Sequence, residues 1–245
     1  MNNPFGGDAP THPVKLPAAV HLDWQGFGVD LDPTVELWAK QASVDLRAIV
    51  EGALANIEGR LHGRAVPITI EAGTYGTARA LGIGGQTDPY TGRVEVSMDL
   101  GSSLPPRELL STWVPMSLAH ELAHSKRILD GPGYGTTTGD VVVSEGSAEA
   151  FVREAYPKAP DVPWVQPLGP SDLAKVWGRL RAQRSSPNDP MSYEQWFVGE
   201  GGLPRWAGYR IGYAIAESYL AEHHGTTAAQ LAVIPAADVL KGFVR

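Results

Sequence analysis

The chain has 245 residues, of which 43% are hydrophobic, with seven Trp and eight Tyr: enough apolar material for a packed core and too much for a disordered chain. A formal net charge of −7 argues against a nucleic-acid partner, because phosphate binding needs a basic surface. The absence of cysteine excludes disulfides, thiolate metal sites and a thiol nucleophile, so any metal must be held by His, Asp or Glu.

Residues 1–20 are proline-rich and read as an extended or disordered arm. They carry no basic and apolar segments of a signal peptide, and no run approaches the roughly 18 apolar residues of a membrane span. A cytoplasmic protein without a membrane partner is the expectation. Asp32 as a cap, Pro33 at the first helical position and apolar residues from Val35 to Ile57 at helical spacing predict one amphipathic helix to about residue 60. His62 falls just past its end, as a solvated or capping residue. Segments 66–71, 81–87 and 93–98 read as strands, the last two separated by the turn signal Asp88-Pro89-Tyr90-Thr91-Gly92. They predict a small, partly antiparallel sheet of three to four strands. Gly84 and Gly85 mark a place where a second backbone, such as a peptide substrate, would approach a strand.

A helix follows over 107–129, with Pro115 predicting a kink or a late start. It carries His120-Glu121-Leu122-Ala123-His124, an HExxH pattern. Residues four apart lie on one helical face, so the two imidazoles can point at one metal and Glu121 can reach a water beside it. Apolar residues surround this helix almost completely, so it is buried, and its polar groups need partners. After a Gly- and Thr-rich loop at 130–142, a second helix over about 143–156 carries Glu145 and Glu149, again four apart. The small residues Gly146, Ser147 and Ala148 are expected to let it approach the His helix closely. Residues 157–170 are proline-rich surface wrapping. Arg179, Arg181 and Arg184 read as the solvated face of a helix over 171–184. The last long helix, about 203–222, carries Gly208 and Gly212 on one face, which suggests close contact with another element, together with Tyr209 and Tyr213. His223 and His224 end it, and a short Ala-rich helix closes the chain.

These features suit a zinc hydrolase in which His120, His124 and Glu145 hold the metal and Glu121 is the general base. Glu149 then orients a ligand His from behind, and Tyr209 or Tyr213 donates to the oxyanion. The three motifs, HELAH, SEGSAEA and PRWAGYRIGYAIAESYL, together resemble the predicted zinc-dependent protease family catalogued as a domain of unknown function. They also resemble the gluzincin group of metallopeptidases, whose best-known member is thermolysin. The resemblance covers about residues 66–222. It implies Zn2+ at His120, His124 and Glu145, Glu121 as catalytic, Glu149 in support, and a Gly-Tyr segment at Gly208 to Tyr213. The sequence departs from that pattern at Ser125-Lys126-Arg127, which bears on the pocket's detail. The expected architecture is α+β: a single domain over 21–245 with a thermolysin-like zincin core. Its small sheet and HExxH helix lie before about residue 130 and its mostly helical part after. The expected activity is peptide-bond hydrolysis on a peptide or protein substrate; the alternative is a zinc-binding, peptidase-like regulator or peptide binder without proteolysis.

Overall fold

The apolar patterns resolve into a mixed sheet and a larger set of helices in a computed structural model that describes residues 20–74, 77–78, 81–199 and 201–243. The arm expected at 1–20 lies outside the described residues except for Val20, which begins the first strand. Strands β1 (Val20–Trp24) and β2 (Phe27–Leu31) form an antiparallel hairpin. Its turn residues Gln25 and Gly26 both have positive φ, 50° and 91°, as a two-residue turn matched to strand twist requires. This hairpin is not among the strands expected from the sequence. With β3 (Ile68–Ala72), β4 (Thr77–Ala78), β5 (Ile83–Thr87) and β6 (Val94–Met98), the sheet has six strands in the order β1-β2-β3-β6-β5-β4. The central β2, β3 and β6 run parallel, and the outer pairings are antiparallel.

The single helix expected after Asp32 is two. Asp32 accepts a bond from Thr34 N at 2.6 Å and starts α1 (Pro33–Gln41), but Ser43 turns to φ 55° and Asp45 caps a fresh helix, α2 (Leu46–Leu61). A second competent cap interrupts the apolar periodicity, which continues across the break because both helices cover the same core. His62 is the left-handed C-cap of α2, where the sequence puts it.

Helix α3 (Pro106–Glu108) runs through a π-turn at Leu109–Trp113 into α4 (Val114–Asp130), the His helix. Pro115 has no N–H to give the ladder, and the wider turn before it accommodates its ring within the first turn of α4. Helix α4 lies against β5 and β6 on one side and α2 and α5 on the others. Helix α5 (Thr138–Ala155) begins five residues before the expected start, because Thr137 and Asp140 form a capping box within what reads as a Gly- and Thr-rich loop.

The C-terminal part comprises α6 (Pro170–Gln183), α7 (Pro190–Tyr193) leading into a π-turn at Glu194–Val198, α8 (Ala207–Glu222), α9 (Ala228–Leu231) and α10 (Ala236–Lys241). Arg179 is no free surface charge: its guanidinium donates to Gly201 O and Gln195 Oε1, both at 2.9 Å, and ties α6 to the segment before α8. One hydrophobic core joins the sheet and all the long helices.

Helix α5 packs against both α4 and α8, and among its small residues Gly146 faces α8. A Cβ on Gly146 would stand 2.1 Å from the carbonyl carbon of Gly212, and one on Gly212 would stand 2.2 Å from Val142 O. Backbone meets backbone, and neither side can yield. Gly146→Ala is expected to cost about 3 kcal/mol or more and to lower Tm by roughly 6–12 °C. Gly178→Ala on α6, where a Cβ meets nothing within 4 Å, is expected to change Tm little or raise it. Thermal melts of the two variants check the contrast.

Candidate metal centre

Helix α4 carries His120 and His124 on the face turned towards α5, and α5 presents Glu145 to them. His120 Nε2 lies 3.0 Å from His124 Nε2 and 3.2 Å from Glu145 Oε2, and His124 Nε2 lies 3.5 Å from the same oxygen. One donor atom from each residue falls within 4.8 Å of the others, close enough for a single ion. The side chain of His120 is 16% exposed, against 5% for His124 and for Glu145, so the group opens outward over His120.

Each of the three side chains makes a second contact through its other polar atom. His120 Nδ1 lies 3.2 Å from Glu149 Oε1, and His124 Nδ1 lies 3.1 Å from Ser144 Oγ. The Tyr134 hydroxyl donates to Glu145 Oε1. Burial opposes charge on His120, but Glu145 and Glu149 outweigh it and hold its pKa well above the ordinary imidazole value. Burial likewise opposes ionisation of Glu145, but His124 and His120 outweigh it and hold its carboxyl well below the usual range.

Glu121 sits beside this group and is buried. Thr87 Oγ1 lies 2.7 Å from Glu121 Oε2 and 2.9 Å from its carbonyl oxygen, so one strand residue locates both ends of the glutamate. Gly85, two residues earlier on the same face of β5, leaves the room: a Cβ there would stand 2.6 Å from Glu121 Cγ. Gly85, Gln86, Thr87 and Pro89 form one wall of a cavity of about 310 Å³. His120, Glu121, His124 and Glu145 form its polar part, and Tyr134, Tyr193 and Tyr209 complete it. Burial pushes the Tyr134 and Tyr209 hydroxyls well above the usual phenol value, with the Glu145 charge adding, so both are held as protonated donors.

The structure thus brings together His120, His124, Glu145, Glu121, Glu149, Gly85 and Tyr209. Three residues named from the sequence fall outside the cavity lining: Glu149, which stands behind His120, and Tyr213 and Gly84. Tyr213, one helical turn beyond Tyr209, lies in the field of Glu217 and Arg153. Gly84 pairs with Thr77 of β4. The departing triplet after HExxH does not reach the cavity: Ser125 lies under Gly92, Lys126 bonds Asp130 and His62 O, and buried Arg127 clamps the carbonyls of Ala232 and Ile234. Tyr134, Ser144, Thr87 and Trp164, whose indole donates to Glu149, are not among the site residues expected from the sequence. Only Thr87 had a local signal, the strand period of two that puts it on the face of Gly85.

The donor set fits a divalent cation. Two imidazole nitrogens and a carboxylate oxygen are the ligand types zinc takes without thiolates. Glu121, Glu145 and Glu149 bring three buried carboxylates together, with no Lys or Arg in the cavity lining among the described residues. A fold with two imidazoles and a carboxylate converging from neighbouring helices defines the class: an HExxH-type candidate metal centre with its third donor on the next helix. The chain belongs to the predicted Zn-dependent protease family (DUF2268), whose model matches residues 88–241. It is also similar to the uncharacterized protein YjfC of Bacillus subtilis (strain 168), 32% identical over 125 residues, which cover 46% of this chain and 42% of that protein. The match therefore spans less than half of that relative's length. No solved structure matches the chain. No helix among the described residues is long and apolar enough to cross a membrane.

Proposed function

We propose that the chain is a zinc-dependent peptidase with a thermolysin-like arrangement of its catalytic helix. The observation that carries this is the convergence of His120, His124 and Glu145 within 4.8 Å beside a separately held carboxylate, Glu121, in one cavity. A purely structural metal site needs no such separately held carboxylate. His120 and His124 would supply nitrogens and Glu145 an oxygen to the zinc, which when bound polarises a carbonyl and acidifies a water. Glu121 takes the water's proton and returns it to the leaving amine. Thr87 occupies its Oε2, which leaves Oε1 for that work. Tyr209 donates its hydroxyl to the developing oxyanion, while Tyr134 holds Glu145 from the far oxygen.

Two features favour a peptide over a small substrate. Strand β5 presents Gly85 to Thr87 along the cavity wall, where an extended chain can lie against backbone. The exposed large hydrophobics Tyr90, Met191, Tyr193 and Val198 lie on the β5–β6 turn and the 190–198 segment, both of which contribute to the cavity wall. Apolar side chains flanking the scissile bond suit such a rim.

The reading is tested by incubating the zinc-loaded chain with a peptide library and detecting cleavage by mass spectrometry; absence of any product across the library would overturn it. On a cleaved peptide, Tyr209→Phe is expected to lower kcat by about 10²–10³-fold, and Tyr213→Phe to leave it within about two-fold. Equal losses in the two variants would remove Tyr209 from the oxyanion role.

A further inference from the structure

The hydrogen-bonded chain behind His120 runs through Glu149 to Trp164, on the segment between α5 and α6. Trp164 Nε1 donates to Glu149 Oε1 at 2.8 Å. The same oxygen lies 3.2 Å from His120 Nδ1. An indole nitrogen can only donate and an ionised carboxylate can only accept, so with Glu149 as carboxylate His120 Nδ1 bonds Oε1 by donating. The proton on Nδ1 leaves the other ring nitrogen, Nε2, as the donor atom for a metal, and that is the atom facing His124 and Glu145.

Trp164 is held independently of the metal residues. Its neighbours Val162 and Val165 are buried. Arg210 of α8 donates to Gln166 O and Pro167 O, both at 2.7 Å, and so clamps the segment that follows. The Trp164 ring meets Trp206 edge-on at 6.1 Å, and the Arg205 guanidinium covers Trp206 at 4.3 Å. The proline-rich segment lies mostly on the surface, as the sequence suggests, and within it Trp164 is an anchored donor aimed inward.

We propose that Trp164 is a positioning residue of the metal centre: its indole N–H fixes the Glu149 carboxylate, which in turn fixes the orientation and tautomer of His120. This rests on the metal reading above. Loss of the donor leaves buried Glu149 short of one partner and free to turn, so His120 is held less firmly in the ligating state.

The test is zinc affinity of the purified chain, measured by competition with a chromogenic chelator, together with the rate of zinc release into excess EDTA. Trp164→Phe keeps an aromatic ring and removes the N–H; affinity is expected to fall about 3–10-fold and release to quicken. Glu149→Gln is expected to lose about 10–100-fold. The double variant should be no weaker than Glu149→Gln alone, since both act through one contact. Trp206→Phe, which disturbs the ring packing and spares the donor, should bind zinc as the native chain does. In the native chain, the Trp164 indole N–H resonance should shift on zinc uptake, a readout that needs no variant. Native affinity in Trp164→Phe, an equal loss in Trp206→Phe, losses that multiply in the double variant, or an unmoved indole resonance would each overturn the proposal. No zinc uptake by the native chain would defeat the metal reading itself; uptake that ignores Trp164 would defeat this inference alone.

Discussion

Glu121→Gln is expected to lower kcat/KM for peptide hydrolysis by about 10²–10⁴-fold while the chain still takes up zinc, because the variant keeps the shape of the side chain and removes only its basicity. Glu121 is not one of the three residues whose donor atoms converge, so the metal should not sense the change. Thr87 can still donate to the amide oxygen of Gln, so the side chain should stay where Oε2 now accepts at 2.7 Å. Steady-state kinetics beside metal analysis of the same preparation make the measurement. Unchanged turnover would remove Glu121 as the base, and lost metal would mean that it ligates. Gly85→Ala provides a steric counterpart. Its Cβ would stand 2.6 Å from Glu121 Cγ, so the carboxylate must leave Thr87, and activity should fall with zinc retained.

The second large effect is on the metal itself. The native chain is expected to bind about one zinc, and His120→Ala or Glu145→Ala to weaken it roughly 10³-fold or more, since each removes one of the three proposed protein ligands. Zinc should raise Tm of the native chain and a chelator should reverse it; neither should move Tm of the variants. Glu145→Ala carries a further cost without metal. The Tyr134 hydroxyl and His120 Nε2 both lose their acceptor, about 1–3 kcal/mol for each group left buried and unpaired. The pH dependence has a definite sign. His120 has a raised pKa, so its stabilisation of the metal-free fold is present below the ordinary imidazole value and is lost as pH rises through the raised one. Glu145 has a lowered pKa, so its contribution is present above the ordinary carboxyl value and is lost as pH falls through the lowered one. Zinc must displace the His120 proton, so zinc affinity should fall with falling pH. Calorimetric titrations at several pH values check the trend; pH-independent zinc affinity would contradict it.

Much of the site could be read from spacing along the chain. HExxH is a statement about one helical face, and the Glu145–Glu149 pair repeats it on the next helix; both patterns are local. The caps at Asp32 and His62 and the strands around Asp88 to Gly92 were legible for the same reason. The break at Ser43 was not, because apolar periodicity continues across it. The early start of α5 was hidden by the composition of the loop before it, although Thr137 and Asp140 stand at capping-box spacing. The β1–β2 hairpin, with its Gln25-Gly26 turn, carried only a weak local signal.

The partners of these residues were another matter. Gly146 was read as a seat for the His helix, and it meets Gly212 instead. Tyr209 and Tyr213 were equivalent in the sequence, and the rotation of α8 turns only the first into the cavity. Tyr134, Thr87 and Trp164 reach the metal residues from a loop, a strand and a proline-rich segment with no spacing in common. The amino-acid sequence by itself determined which residue types share a helical face, because helix geometry makes that a matter of counting. Only the tertiary structure decided which faces meet, because the packing of α4 between the sheet and α5, and of α5 against α8, sets every distance between elements.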